Sequence, residues 1–230
     1  MSHDSNLTEI IQDSEMELPN NLFEIIQNSE IELPNKLITK LLDAEKYTDL
    51  IYLRARQSMV EEISSKGISD LRVLEAFLKT PRHMFIDGAF SSRAYQDMSL
   101  PIGYHQTISQ PFVVARMVEL ILKGNIFQKS PLGTILEIGT GCGYQTAILS
   151  NFCRKVFSIE RISPLAERAK ANLQSAGIKN YLIRCADGSL GWPTFKKFDA
   201  IICSAVSNNV PDPLIKQLNV SGKLICPVGN

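Results

Sequence analysis

Thr134-Ile-Leu-Glu137-Ile-Gly139-Thr140-Gly141-Cys142-Gly143-Tyr-Gln-Thr-Ala-Ile148 decides the fold of this chain. An apolar run, read as a buried strand, passes through three glycines into a helical stretch. Gly139, Gly141 and Gly143 carry no Cβ, so the backbone can turn sharply there and a ligand can come close to it, while the next helix begins with unpaired N–H groups. The spacing narrows the ligand. A dinucleotide loop needs Gly-x-Gly-x-x-Gly, and Tyr144 fills its last place; a phosphate loop needs Gly-Lys-Ser/Thr, which is absent.

Two later strand ends point to a nucleoside. Lys155-Val-Phe-Ser-Ile-Glu160 reads as a strand ending in a carboxylate, about 20 residues beyond the loop, where one βαβ unit places an acceptor for both ribose hydroxyls. The plain alternative is a surface glutamate paired with Arg161. A third short strand, 181–183, leads to Arg184-Cys-Ala-Asp187-Gly188, where an acid can accept from an adenine amine. The acidic strand and its loop, Glu137-x-Gly139-x-Gly141-x-Gly143, resemble motif I of the methyltransferases that use S-adenosylmethionine.

The chain has 230 residues, with Lys+Arg 24 balanced by Asp+Glu 24, enough for one α/β domain with a sizeable core. The basic residues are scattered without interleaved aromatics, so no nucleic-acid partner is expected. No apolar run reaches membrane-spanning length and no signal peptide is recognisable, so a cytoplasmic protein without a membrane partner is expected. Cys142, Cys153, Cys185, Cys203 and Cys226 show no Cys-x-x-Cys pairing and read as reduced core thiols. Cys142 lies inside the glycine loop; packing of a small residue and a nucleophile are its two readings, and no histidine has an obvious route to it.

The N-terminus holds a tandem duplication, residues 6–20 and 21–35, each copy an Asn-capped Leu/Ile/Ile helix closed by Leu-Pro. Two copies are too few for a self-supporting array. They read either as a docking arm for a partner or second subunit, or as a tolerated duplication in an extension, here taken as residues 1–45. Residues 43–66 read as an amphipathic helix through Ile51, Leu53, Val60 and Ile63, and residues 70–79 as another, ended by Pro81. Residues 81–87 then lead through a loop to the segment 100–117, whose polar core is Thr107-Ile108-Ser109-Gln110 before Pro111. Pro111 marks a first helical position, which makes Ser109 or Gln110 the expected cap.

Together these segments resemble the protein-L-isoaspartate O-methyltransferases, bacterial type. The carriers run in family order from about Tyr52 to Asn230: Pro81-Arg82 with Phe85, Pro101-Ile-Gly-x-x-Gln-Thr-Ile-Ser-Gln-Pro111, the glycine-loop motif, Ser158-Ile-Glu-Arg161, Asp187-Gly-x-x-Gly-Trp-Pro193, Phe198-Asp-Ala-Ile-Ile202 and Pro227-Val-Gly229. The Thr-Ile-Ser-Gln-Pro block is the specific one, because motif I is shared by methyltransferases of many substrates. The resemblance implies methyl transfer from S-adenosylmethionine, leaving S-adenosylhomocysteine, to the carboxylate of L-isoaspartyl residues in damaged proteins and peptides. It implies Ser109 at the reacting carboxylate as the catalytic residue. Thr107, Ile108, Glu137, Gly139, Thr140, Gly141 and Gly143 would lie around the cofactor, Glu160 at its ribose, and Asp187 and Gly188 at its adenine. No metal is expected, and a monomer is the default. Two other readings stand beside it: a methyltransferase of a different substrate, and a non-catalytic binder of the same fold. Against an RNA substrate stands the lack of an Asn/Asp-Pro-Pro-aromatic motif after the fourth strand.

The sequence departs from the family in three places. His105 stands where a glycine is usual, at a position suited to φ > 0. Residues 204–211, Ser-Ala-Val-Ser-Asn-Asn-Val-Pro, replace an alanine-rich turn. Strands near 134, 155, 180, 198 and 222 make five, against a seven-stranded sheet with a C-terminal hairpin. The expected fold is therefore a Rossmann-like α/β domain over 46–230, a helical part 46–123 before a mostly parallel core 133–230, without the hairpin. Lys223-Leu-Ile-Cys-Pro-Val228 is then expected as a bare apolar edge.

Overall fold

The computed structural model describes residues 44–124, 131–194, 197–205 and 209–228. The chain divides into two units, 1–47 and 48–230, and the geometry below belongs to the second. The duplication at 6–35 lies outside the described residues. Helices α1 (Ala44–Ser65) and α2 (Leu71–Lys79) come first, followed by two 3-10 turns, a hairpin of β1 (Leu100–Gly103) and β2 (Gln106–Ile108), and α3 (Pro111–Leu122). Then β3 (Leu132–Ile138), α4 (Tyr144–Leu149), β4 (Cys153–Glu160), α5 (Ser163–Ser175), β5 (Tyr181–Cys185), β6 (Phe198–Cys203), α6 (Asp212–Lys216) and β7 (Leu218–Ile225) complete the core.

Five strands form one parallel sheet in the order β5-β4-β3-β6-β7. A parallel sheet is covered on both faces, which is why its strands read as nearly continuous apolar runs. Successive residues of β3 serve opposite faces: Ile135 joins a large cluster with Val156, Ala200 and residues of α2 and α3, whereas Leu136 joins a second cluster with Phe157, Ile159 and Ile201. The chain runs from β3 outward to β4 and β5, then returns across β3 to β6 and β7. The carboxyl end of β3 is therefore the switch point, where open α/β sheets leave a crevice.

One expectation changes. The buried face of α1 is carried by Met59 and Ile63, while Ile51 is half exposed. The segment before α3 forms a strand pair, with Leu100 opposite Ile108 and Pro101 opposite Thr107. The strand β7 is the edge of the sheet, as expected, and pairs only with β6 among the described residues; the Lys223 ammonium crosses to α3 and donates to the carbonyls of Leu120 and Ile121 at 3.2 and 2.9 Å. Val220, by contrast, is 99% exposed.

The hairpin and α3 are positioned by carboxylates. Asp97 accepts from the Phe112 N–H at 2.7 Å, from Gln110 Nε2 at 2.8 Å and from Lys66 Nζ at 2.5 Å, so it caps α3 from outside the helix. Glu119 accepts from the backbone N–H groups of Ser69 and Asp70 at 2.7 and 3.0 Å, joining α3 to the start of α2.

Candidate functional site

The glycine loop leaves β3 with Gly139, Gly141 and Gly143 all in the left-handed region, at φ 92°, 56° and 91°. A side chain at any of the three would strain the turn. The loop folds over the end of β4: the N–H of Gly139 donates to the Ile159 carbonyl at 2.8 Å, and that of Gly141 to Glu160 Oε2 at 2.8 Å. The other oxygen of Glu160 accepts from the Ile162 N–H at 3.0 Å. Glu160 is 5% exposed, so the reading as a surface glutamate paired with Arg161 does not hold.

A cavity of about 350 Å³ opens at the carboxyl ends of these strands. Gly139, Glu160, Asp187 and Gly188 line it, with Ile138 and Ile159 as apolar wall and Gln106 reaching in from β2. The size suits a nucleoside. Asp187 is exposed; its Oδ1 caps the 3-10 turn 188–190 by accepting from the N–H and the hydroxyl of Ser189 at 2.9 and 2.8 Å, and these bonds hold its carboxyl below the usual range. At Gly188 a Cβ would stand 2.4 Å from Ile138 Cγ2, so only glycine lets this turn approach the strand so closely.

A smaller recess of about 40 Å³ adjoins it, sharing Gly139, and is lined by Thr107, Ile108, Ser109, Thr140 and Gly141. The hairpin thus lies across both spaces. Ile102 packs over Gly141, and Arg168 of α5 donates to the Ile102 carbonyl. Ser109 is not the cap of α3: the capping position is Gln110, which makes no side-chain cap bond, and Asp97 takes that task. The Ser109 backbone carbonyl instead accepts from Arg82 Nη2 at 2.9 Å. Tyr104 and His105 occupy the hairpin turn at φ 53° and 55°, so His105 adopts the left-handed backbone that glycine would favour.

Glu137 is where the sequence expectation fails. Its side chain is fully buried and lines neither space. It shares the face of Ile135, under α4, because alternation sends Ile138 and not Glu137 to the cavity. Thr146 Oγ1 and Ser158 Oγ donate to it at 2.5 and 2.6 Å and Gln145 Nε2 at 3.1 Å; burial nevertheless pushes its carboxyl up to about 7. Glu137 braces the loop's helix and does not contact the cavity. Thr140 lines the recess with its hydroxyl already engaged by Ser158 at 2.5 Å. Cys142 is buried, and burial raises its thiol, which fits packing and not nucleophilic attack.

Sequence reasoning gave no role to Gln145, Ser204, Arg82 or Asp97. Gln145 lines the recess and donates to Ser204 Oγ at 2.8 Å. Arg82 is fully buried with its guanidinium 4.8 Å from the centre of the Tyr144 ring, and burial lowers its pKa. A polar residue in the first turn of an apolar helix was the available signal for Gln145. Nothing local marks Asp97. Among the described residues no group of three or more His, Cys, Asp or Glu is placed to hold a metal ion, and no helix is long and apolar enough to cross a membrane.

A family model described as Protein-L-isoaspartate(D-aspartate) O-methyltransferase matches residues 54–230. A relative named protein-L-isoaspartate O-methyltransferase from Burkholderia lata is 49% identical over 176 residues, which is 76% of this chain and 55% of that protein. One of the same name from Methylobacillus flagellatus is 48% identical over 176 residues, 76% of this chain and 77% of its own. The chain thus spans about half the length of the first of these relatives. Among solved structures, a protein-L-isoaspartate O-methyltransferase superposes with TM-score 0.66 at 30% identity, covering 75% of this chain and 55% of that one. A Plasmodium falciparum structure, titled as a putative enzyme of the same name in complex with S-adenosyl-L-homocysteine, gives TM-score 0.65 at 23% identity, covering 76% and 84%, and speaks for the fold alone.

Proposed function

Because the chain belongs to the protein-L-isoaspartate(D-aspartate) O-methyltransferase family, we propose that it transfers a methyl group from S-adenosylmethionine to the free carboxylate of L-isoaspartyl residues in damaged proteins and peptides. The observation that carries the reading is the junction at Gly139 of a nucleoside-sized cavity, holding Glu160 and Asp187, with a recess holding Ser109. The residues fit the cofactor on three counts. The loop glycines leave the backbone open to close approach. Glu160 is buried at the cavity wall with its carboxylate fixed by two N–H donors, and each oxygen retains a lone pair for a ribose hydroxyl. Gly188 keeps the floor beside Ile138 free of a Cβ.

S-adenosylmethionine supplies the methyl group as an electrophile on a sulfonium centre. The chain's own work is placement. An isoaspartyl carboxylate is already ionised at neutral pH, so no strong base is required. Ser109 orients the acceptor oxygen, Thr107 and Ile108 flank it, and the hairpin keeps water away, since a solvated carboxylate is a poor nucleophile. The ester formed can close to a succinimide and reopen in part as normal aspartate, which makes the reaction a repair step. The same reading takes the protein as a monomer and places it in the cytoplasm, the latter supported by five cysteines that are all free.

The test is transfer of labelled methyl from S-adenosylmethionine to an isoaspartyl peptide, beside the same peptide with normal aspartate. Base-labile label on the isoaspartyl peptide alone is expected. Label on both peptides or on neither sinks the substrate assignment. Ser109→Ala is expected to lower kcat about tenfold or more while leaving cofactor affinity intact; full turnover in this variant removes the orienting role.

A further inference from the structure

The proposed reaction uses no sulfur of the protein, yet two thiols stand in the wall of its cavity. Cys203 ends β6 and Cys226 follows the last residue of β7. The parallel register pairs Ile201 with Leu224 and Ile202 with Ile225, so Cys203 and Cys226 occupy the next step of the same ladder. Adjacent strands run about 4.8 Å apart, inside the roughly 4.4–6.8 Å that a disulfide spans between Cα atoms. Parity puts both side chains on one face: both belong to the cluster of Leu136 and Phe157, and both line the cavity that holds Glu160 and Asp187. Both are free, and the Cys226 thiol is close enough to Cys203 to raise it. Cys142 and Cys153 lie in the other hydrophobic cluster, and Cys185 is exposed at the end of β5.

We infer that Cys203 and Cys226 form a dithiol site which a peroxide converts to an intramolecular disulfide, and that this bond weakens nucleoside binding in the cavity whose wall it joins. The second half rests on the cofactor reading above. Cys226, the more accessible thiol, gives up its proton and attacks one oxygen of the peroxide. The O–O bond breaks, and sulfenic acid and one water result. The Cys203 sulfur then attacks the sulfenic sulfur; the S–S bond forms, the S–O bond breaks, and the departing hydroxide takes the Cys203 proton and leaves as the second water. Two thiols lose two electrons and two protons, and hydrogen peroxide becomes two waters. Burial, and after it the neighbouring thiol, pushes Cys203 up to about 12, which leaves the first attack to Cys226. The bond would tie the end of β6 to the chain just beyond β7 and alter the wall opposite Glu160.

The experiment treats the full chain with hydrogen peroxide, blocks remaining thiols with N-ethylmaleimide, and maps peptides without reductant by mass spectrometry. A linked Cys203–Cys226 peptide pair, two hydrogen masses lighter than the separate thiols and released by dithiothreitol, is the expected result. The link should be lost in both Cys226→Ser and Cys226→Ala. Oxidation confined to Cys185, or Cys203 and Cys226 both recovered as blocked thiols, overturns the dithiol site. Calorimetry with S-adenosylhomocysteine then compares reduced and oxidised chains, with roughly tenfold weaker binding expected after oxidation, within the usual range of coupling between two linked events. A linked chain with unchanged affinity overturns the effect on the cavity. A reduced chain that binds no S-adenosylhomocysteine counts against the cofactor reading instead, and the peptide map still decides the dithiol.

Discussion

Replacing Glu137 with Gln tests the electrostatics under the glycine loop. Glu137 is 0% exposed. Burial pushes its carboxyl from 4.5 up to about 7 against the opposing bonds from Ser158, Thr146 and Gln145, with the charge of Glu160 adding to the rise. Between these two values the folded chain binds more protons than the unfolded chain, so stability falls as pH rises. At about 1.4 kcal/mol per unit, the shift amounts to about 3 kcal/mol. This contribution is intact below about pH 4.5 and lost above about pH 7. An amide of the same shape does not titrate. Other shifted carboxyls, such as Asp70 and Asp97, which are held low, are common to both chains and cancel in the difference. Urea unfolding of wild type and Glu137→Gln at pH 4.5, 6 and 8 should therefore show the variant gaining about 3 kcal/mol relative to wild type across the series. A difference that stays constant within about 1 kcal/mol, or moves toward wild type, refutes the reasoning: the three donors would then hold a carboxylate ionised at every pH tested.

Glu160→Gln puts an NH2 group against one of two backbone donors and removes the charge, so S-adenosylhomocysteine binding should weaken by about 2 kcal/mol, roughly 30-fold by calorimetry; affinity within threefold of wild type removes Glu160 from the ribose. Gly188→Ala brings a Cβ to 2.4 Å from Ile138 Cγ2 and should destabilise the fold by about 1–3 kcal/mol in urea unfolding. Part of that loss should return in Gly188→Ala/Ile138→Ala, which removes the clashing Cγ2, and strict additivity of the two changes would place the clash elsewhere. Asp97→Ala leaves the Phe112 N–H and Gln110 without their acceptor and Lys66 with Glu62 alone, and should cost about 1–3 kcal/mol of stability. Burial opposes ionisation of Asp97, but the bonds from Lys66, Phe112 and Gln110 outweigh it and hold its carboxyl low, so its stabilisation should be present above about pH 4 and fade as acid protonates the folded carboxyl.

Much of the fold lies in local pattern. The five apolar runs become the five parallel strands because a strand buried on both faces has no polar alternation to hide, and three glycines in seven residues can serve only a turn in the left-handed region. The interval from Gly139 to Glu160 likewise follows from one βαβ unit, which returns the chain beside its starting strand, and Glu160 duly meets the Gly141 N–H. Tertiary structure alone decided which face each side chain serves and what waits there. One residue of parity separates Glu137, closed under α4, from Ile138 in the cavity wall, and the sequence motif singles out Glu137 and leaves Ile138 unassigned. Asp97 caps a helix that begins 14 positions later, and Cys203 meets Cys226 only through the register of two strands. Such meetings depend on how sheet and helices stack across the whole chain, and a contact between distant residues leaves no periodic mark in either segment.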